Sequence, residues 1–158
     1  MDEKTVVGIA ELKVSTNPGR LVTVGLGSCV GVVLYDPKAR IGALIHAMLP
    51  KPCYGMDKTN AAKYVETAIP LALSEMQKLG AEKHRITARL IGGARMFTLE
   101  KDVFIGYKNV EAAERVLKSM DINITGKETG GTIGRTVEFD VSTGRVLVKT
   151  AARGVVEL

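Results

Sequence analysis

The sequence predicts an α+β or mixed α/β domain: a layered sandwich of mixed β-sheets with two main helices packed on one face. Three observations predict it. Short apolar runs separated by turn residues occupy positions 5–49. Two later stretches, 61–79 and 110–120, carry apolar residues at three- and four-residue steps. A hairpin pattern then occupies 135–150. The order of strands, helix, strand, helix, strands does not alternate as a doubly wound fold would.

Taken in order, Thr5–Leu12 reads as a first strand and Asn17-Pro18-Gly19 as a turn. Leu21–Leu26 is strand-like, and Val30–Tyr35 is a continuous apolar run that suggests a buried strand. Asp36-Pro37-Lys38-Ala39-Arg40 is a turn, and Ile41–Leu49 is the returning strand. Two prolines make 50–55 a loop. Ala61, Tyr64, Val65, Ala68, Ile69, Ala72, Leu73, Met76 and Leu79 then share a helical face, with Asp57 or Thr59 as the expected cap and Gly80 as the stop. Pro70 inside that pattern predicts a kink or break near residue 69. Arg85–Ile91 is a strand ending at Gly92-Gly93. A second helix buries Val110, Ala113, Val116, Leu117 and Met120, with Asn109 at its start or as its cap. Ile122–Thr125 is a short strand, and Gly130-Gly131 opens a loop. Arg135–Val141 and Val146–Thr150 form a hairpin around Ser142-Thr143-Gly144, and the tail from Ala151 carries no clear signal.

Length and composition bound the function. The 158 residues fit one domain, 1–158, long enough to bury a full core. No run of about 18 apolar residues exists, so no membrane insertion is expected. Met1-Asp2-Glu3-Lys4 begins acidic and without an apolar signal core, so the expected compartment is the cytoplasm. There Cys29 and Cys53 are expected as free thiols. The net charge of +5 is scattered, Trp is absent and no basic helix stands out, so nucleic acid is not an expected partner. The same mild positive charge suits an acidic protein partner as well as simple solubility.

The chemistry centres on Gly25-Leu26-Gly27-Ser28-Cys29-Val30 and on His46. If the hairpin turns near Lys38, Cys29 faces Ala47 or Met48, and His46 faces Val30 or Gly31. Directly opposed Cβ atoms are roughly 4.5–5.5 Å apart, which permits an imidazole–thiol contact. An imidazolium stabilises the thiolate and lowers the thiol pKa. The imidazole can then protonate a leaving group, with a third residue fixing its tautomer. Thr23, on the preceding strand, is within reach of the far imidazole nitrogen. Acyl transfer also needs backbone N–H donors for an oxyanion, and the Gly27-Ser28-Cys29 turn can supply them.

The same residues have plainer readings. A cysteine beside apolar runs is commonly an inert core residue, and a histidine on an apolar strand is commonly a satisfied one. Thr23 is by pattern an ordinary strand residue. The Gly25-x-Gly27-Ser28 run resembles a phosphate cradle but lacks the Lys of a P-loop, and a strand follows it. Cys29, His46, Cys53 and His84 reach the count of a zinc site, but their spacings of 17, 7 and 31 match no zinc module. No metal and no cofactor is expected.

A resemblance narrows these alternatives. Leu26-Gly27-Ser28-Cys29-Val30 is followed by His46-x-Met48-Leu49-Pro50, by Lys63-Tyr64-Val65 with Ala68-Ile69, and by Gly92-Gly93-Ala94-x-Met96-Phe97. Ile105-Gly106 with Asn109, then Thr129-Gly130-Gly131 with Gly134-Arg135, complete the series. In that order and spacing, over about Val7 to Lys149, the chain resembles the chemoreceptor glutamine deamidase family, CheD. The resemblance implies an α/β sandwich whose active-site design is related to bacterial toxin deamidases. It implies hydrolysis of selected glutamine side chains of chemotaxis receptors to glutamate, with methyl-ester hydrolysis in some members. It implies Cys29 as nucleophile, His46 as base and acid, and Thr23 as the residue orienting the histidine. The receptor cytoplasmic domains are then the substrate, and a CheC-type phosphatase is the expected regulator. The alternative is a regulatory binding module acting mainly through that phosphatase. Glu66 stands where members often have Asp, and Cys53 matches no catalytic position of the family.

Overall fold

The computed structural model describes residues 4–53, 59–96 and 104–158. Its strands are β1 (Lys4–Val6), β2 (Glu11–Thr16), β3 (Arg20–Leu26), β4 (Val30–Asp36), β5 (Ile41–Ala47), β6 (Thr87–Gly92), β7 (Asn123–Thr129), β8 (Arg135–Asp140), β9 (Val146–Thr150) and β10 (Gly154–Glu157). Its helices are α1 (Val65–Lys78) and α2 (Ile105–Ser119). The strands form two five-stranded sheets, ordered β1-β3-β8-β9-β10 and β2-β5-β4-β6-β7. Each is mixed: β1–β3 and β6–β7 run parallel, and the other pairs antiparallel.

The layers follow from side-chain alternation. On β4 and β5, Val30, Val32, Leu34, Ile41, Ala43, Ile45 and Ala47 pack with Ile69, Ala72 and Met76 of α1 and Ala113 and Leu117 of α2. Their neighbours Val33, Tyr35 and Leu44 face the other sheet and pack with Leu21, Phe139, Val146 and Val148. The result is sheet on sheet with both helices covering the outer face of the second sheet, the predicted class. Every residue of β4 and β5 is buried, as the unbroken apolar runs indicate.

Asp36 fixes the turn between these two strands. Its Oδ1 accepts from the amides of Lys38 and Ala39 at 3.1 Å each, and its Oδ2 from the amide of Glu82 at 2.9 Å. The Arg85 Nε donates to both oxygens, at 2.9 and 3.1 Å. Burial alone would raise the pKa of this carboxyl. The Arg85 guanidinium and the three amides outweigh burial and hold it at about 2.

Several local expectations change. Thr5–Leu12 is not one strand: the chain turns at Ile9-Ala10, Ala10 takes φ 62°, and β1 and β2 join different sheets. The Glu11 carboxylate, which accepts from the Gly8 amide at 2.7 Å, closes that turn. Helix α1 starts at Val65, after a 3-10 turn over Ala61–Lys63 whose cap is Asn60. Asp57 lies outside the described residues. The helix continues through Pro70, whose ring sits in an exposed position of the second turn. Asn109 is neither start nor cap: it lies inside α2, fully buried. Strand β7 is longer than expected, and the tail supplies an edge strand, β10, paired with β9.

Candidate active site

The β4–β5 ladder pairs Val30 with Ala47 and Gly31 with His46. His46 shares a strand face with Leu44, so it points between the sheets. Cys29 lies just before β4, half-buried against the same inter-sheet cluster. Two positions from Gly31, which pairs with His46, it is the diagonal neighbour of His46 across the β4–β5 ladder. Thr23 comes from the opposite sheet: on β3 it shares the inward face with Leu21 and is fully buried. Cys29 thus lies against the inter-sheet layer, and there Thr23 reaches His46 from the opposite sheet.

The hydrogen bonds define the histidine. Thr23 Oγ1 lies 2.7 Å from His46 Nδ1 and 2.6 Å from the carbonyl oxygen of Val7. A carbonyl only accepts, so the single hydroxyl proton goes to Val7. Thr23 must then accept from Nδ1–H, which leaves the lone pair on Nε2. That nitrogen is buried and has no hydrogen-bond partner among the described residues. Burial also lowers the imidazole pKa, which favours the neutral ring.

Burial pushes the Cys29 thiol pKa up, and only its own backbone N–H pulls it down. That direction is opposite to the lowering an imidazolium partner gives. Both shifts favour the uncharged form, because both groups lie in the inter-sheet layer where charge is poorly solvated. Such a pair can still transfer a proton when a reacting carbonyl arrives.

The Gly27–Cys29 loop is held from behind by its carbonyls. The Ala94 amide donates to Gly27 O and the Gly93 amide to Cys29 O, both at 2.8 Å. Gly92 and Gly93 take φ of 99° and 63°, and a Cβ on Gly92 would stand 2.5 Å from Cys29 O. Only glycine admits both the backbone twist and that approach. Arg135, 3% exposed, donates to the Gly130 carbonyl at 2.7 Å and pairs with Glu128, bracing the adjoining loop. The Gly27 amide is itself donated to Gly25 O at 3.0 Å.

Two groups that sequence reasoning did not place belong here. The Val7 carbonyl, which sets the tautomer, has no side-chain signature. Asn109 donates through Nδ2 to Ser28 O and to Met48 O, each at 2.9 Å. Its signal was available: it is a polar residue on the buried stripe of α2, with Gly106, Ala113 and Leu117. The other zinc-count residues lie elsewhere. Cys53 is an exposed loop thiol. His84 sits beside Glu82 near the Asp36 turn, at the far end of β4. Among the described residues no three His, Cys, Asp or Glu side chains cluster to hold a metal. No described helix is long and apolar enough to cross a membrane.

Comparison with known proteins gives a consistent result. A family model described as CheD, chemotactic sensory transduction, matches residues 48–150, a span that begins just after His46. The chain is 47% identical over 152 residues to a probable chemoreceptor glutamine deamidase CheD of Caldanaerobacter subterraneus subsp. tengcongensis, covering 94% of each chain. It is 43% identical over 162 residues to the protein of that name from Clostridium botulinum, covering all of both. Among solved structures, the hypothetical protein YfiH of Bacillus licheniformis is similar at a TM-score of 0.47 and 14% identity, over 75% of this chain and 49% of that one. The motifs from Gly27 to Arg135 and the full-length relatives agree, and the chain belongs to the CheD family.

Proposed function

We propose that the chain is a protein-glutamine amidohydrolase, one catalytic domain over 1–158, that deamidates glutamine side chains of chemoreceptor cytoplasmic domains. The observation that carries this reading is the Val7–Thr23–His46 hydrogen-bond chain, which leaves the His46 Nε2 lone pair buried on the face shared with Cys29. As the Cys29 sulfur bonds to the amide carbon, Nε2 takes the thiol proton. The carbonyl oxygen becomes an oxyanion, assigned to the amides of Ser28 and Cys29 rather than to that of Gly27, which is already donated within its turn. The imidazolium returns its proton to the nitrogen as the C–N bond breaks, and ammonia leaves. Water then attacks the thioester, His46 takes a water proton, and the C–S bond breaks to give glutamate and the thiol. A glutamyl methyl ester follows the same path with methanol as the leaving group.

Substrate class rests on the names of the relatives and on the surface. Exposed Met96 lies over Gly27, and exposed Phe104 and Tyr107 begin α2. Exposed apolar surface of this kind suits a protein segment better than a free amino acid. Receptor cytoplasmic domains place the activity in the cytoplasm. A CheC-type phosphatase is the proposed regulator, and the +5 chain suits an acidic surface on it. The test is mass spectrometry of a receptor cytoplasmic fragment incubated with wild-type, Cys29→Ala and His46→Ala proteins. The reading expects glutamine-to-glutamate conversion by the wild type alone. Conversion by Cys29→Ala at the wild-type rate would overturn it.

A further inference from the structure

The β4–β5 ladder stops at Val30 and Ala47, and the next two residues, Cys29 and Met48, lie beyond its last rung. Asn109 stands in that place. Reaching in from α2, its amide nitrogen donates to Ser28 O, the carbonyl just before Cys29, and to Met48 O, two residues past His46. Both partners are carbonyls, so the nitrogen, and not the oxygen, must face them. The side chain is fully buried, so neither contact is a surface accident.

We infer that Asn109 is a positioning residue that orients the Ser28–Cys29 peptide as an oxyanion donor, an inference that rests on the cysteine-hydrolase reading above. In a planar trans peptide the C=O of Ser28 and the N–H of Cys29 point in opposite directions. Holding that carbonyl toward α2 turns the Cys29 N–H away from the helix layer, to the side of the thiol. With Gly27 O and Cys29 O fixed by the amides of Ala94 and Gly93, all three carbonyls of the loop are held from behind. Without the Asn109 donor the Ser28–Cys29 peptide is free to rotate, and its carbonyl, rather than its N–H, can face the reacting centre. By the second contact, at Met48, the same side chain ties this loop to the strand that carries His46.

Two reactions of Cys29 separate this role from a structural one. Deamidation builds an oxyanion; alkylation by iodoacetamide is a displacement that builds none. Asn109→Ala and the nearly isosteric Asn109→Leu are expected to lower kcat for deamidation about 100-fold, the scale of a lost oxyanion donor. The KM and the Cys29 alkylation rate should change no more than about twofold. Equal loss of both reactions in folded protein, or an unchanged kcat, would overturn the inference. A measurement on the wild type does not depend on those variants folding. In protein labelled with 15N-cysteine, a glutamine-derived peptide aldehyde that forms a hemithioacetal on Cys29 is expected to move the Cys29 amide proton downfield while leaving that of Cys53 in place. An unmoved Cys29 amide in the adduct would contradict the role. Cys29→Ala protein separates the two claims: if it deamidates, the cysteine mechanism fails, whereas Cys29-dependent activity with Asn109 variants at full kcat refutes only the part assigned to Asn109.

Discussion

At the residue scale the proposed chemistry depends on one proton's location. Thr23 accepts from Nδ1–H only because its own proton goes to Val7 O. Thr23→Val removes the acceptor at nearly constant volume, and a ring free to take the other tautomer should lose about 100-fold or more in kcat. Thr23→Ser keeps the hydroxyl and should keep most of the activity; steady-state deamidation by the two variants is the check. The electrostatics give a pH prediction. Because burial raises the thiol pKa, Cys29 alkylation in the free protein should rise with pH to a midpoint above the ordinary value of about 8.5. A plateau already reached at pH 6 would mean a resting thiolate–imidazolium pair. Because burial lowers the His46 pKa, the unfolded chain protonates this ring before the folded one does as pH falls. Its contribution to stability is therefore complete above about pH 6.5 and is lost below that value, which urea unfolding against pH will show. Cys29 and His46 stand out in the sequence because the hairpin count sets them close to cross-strand opposition, and the ladder has His46 opposite Gly31, two residues from Cys29. The strand order puts Thr23 within reach of His46, but its role rests on the family resemblance, since nothing in its pattern distinguishes it from other strand threonines.

At the element scale the register of β4 against β5 decides whether Cys29 and His46 meet, and a one-residue slip would turn one of them to the helix face. Asp36 pins that register from the far end of the hairpin. Its carboxyl is held at about 2 by Arg85 and three backbone amides, against roughly 4 in an unfolded chain. That difference contributes about 2–3 kcal/mol, fully present above about pH 4 and lost as pH falls toward 2. Asp36→Asn should therefore cost about 2–3 kcal/mol in urea unfolding at pH 7 and flatten the acid limb of the stability curve. The register was readable because Asp-Pro marks the turn and two apolar runs flank it. The switch of sheets at Gly8–Ala10 was not, because a turn between two short, largely exposed strands leaves little apolar pattern. Nor was β10, an edge strand exposed at all four positions. Asparagine favours helix starts, which suggests a start or cap at Asn109; the stripe it shares with Gly106, Ala113 and Leu117 marks it as inward-facing, but the two carbonyls it meets there are a tertiary fact.

At the scale of the whole molecule, the site exists only while the two sheets stay packed, because Thr23 and His46 come from different sheets. Phe139 lies in that interface, fully buried and edge-on to Tyr35 with ring centroids 5.5 Å apart. Phe139→Ala should cost about 3–5 kcal/mol by urea unfolding. Its remaining folded protein should deamidate more slowly, since the inter-sheet hydrogen bond loses its fixed geometry. The helix layer acts on the other side, through Asn109, so the β4–β5 hairpin is held between both cores. The central claim is that Cys29 itself carries the acyl group between two half-reactions. Acid quenching of the protein during turnover of a receptor glutamine peptide, followed by mass spectrometry of its digest, tests this most directly. The account predicts a thioester, the peptide minus ammonia, on the fragment containing Cys29. Deamidation that proceeds with no adduct there and continues in Cys29→Ala would contradict it.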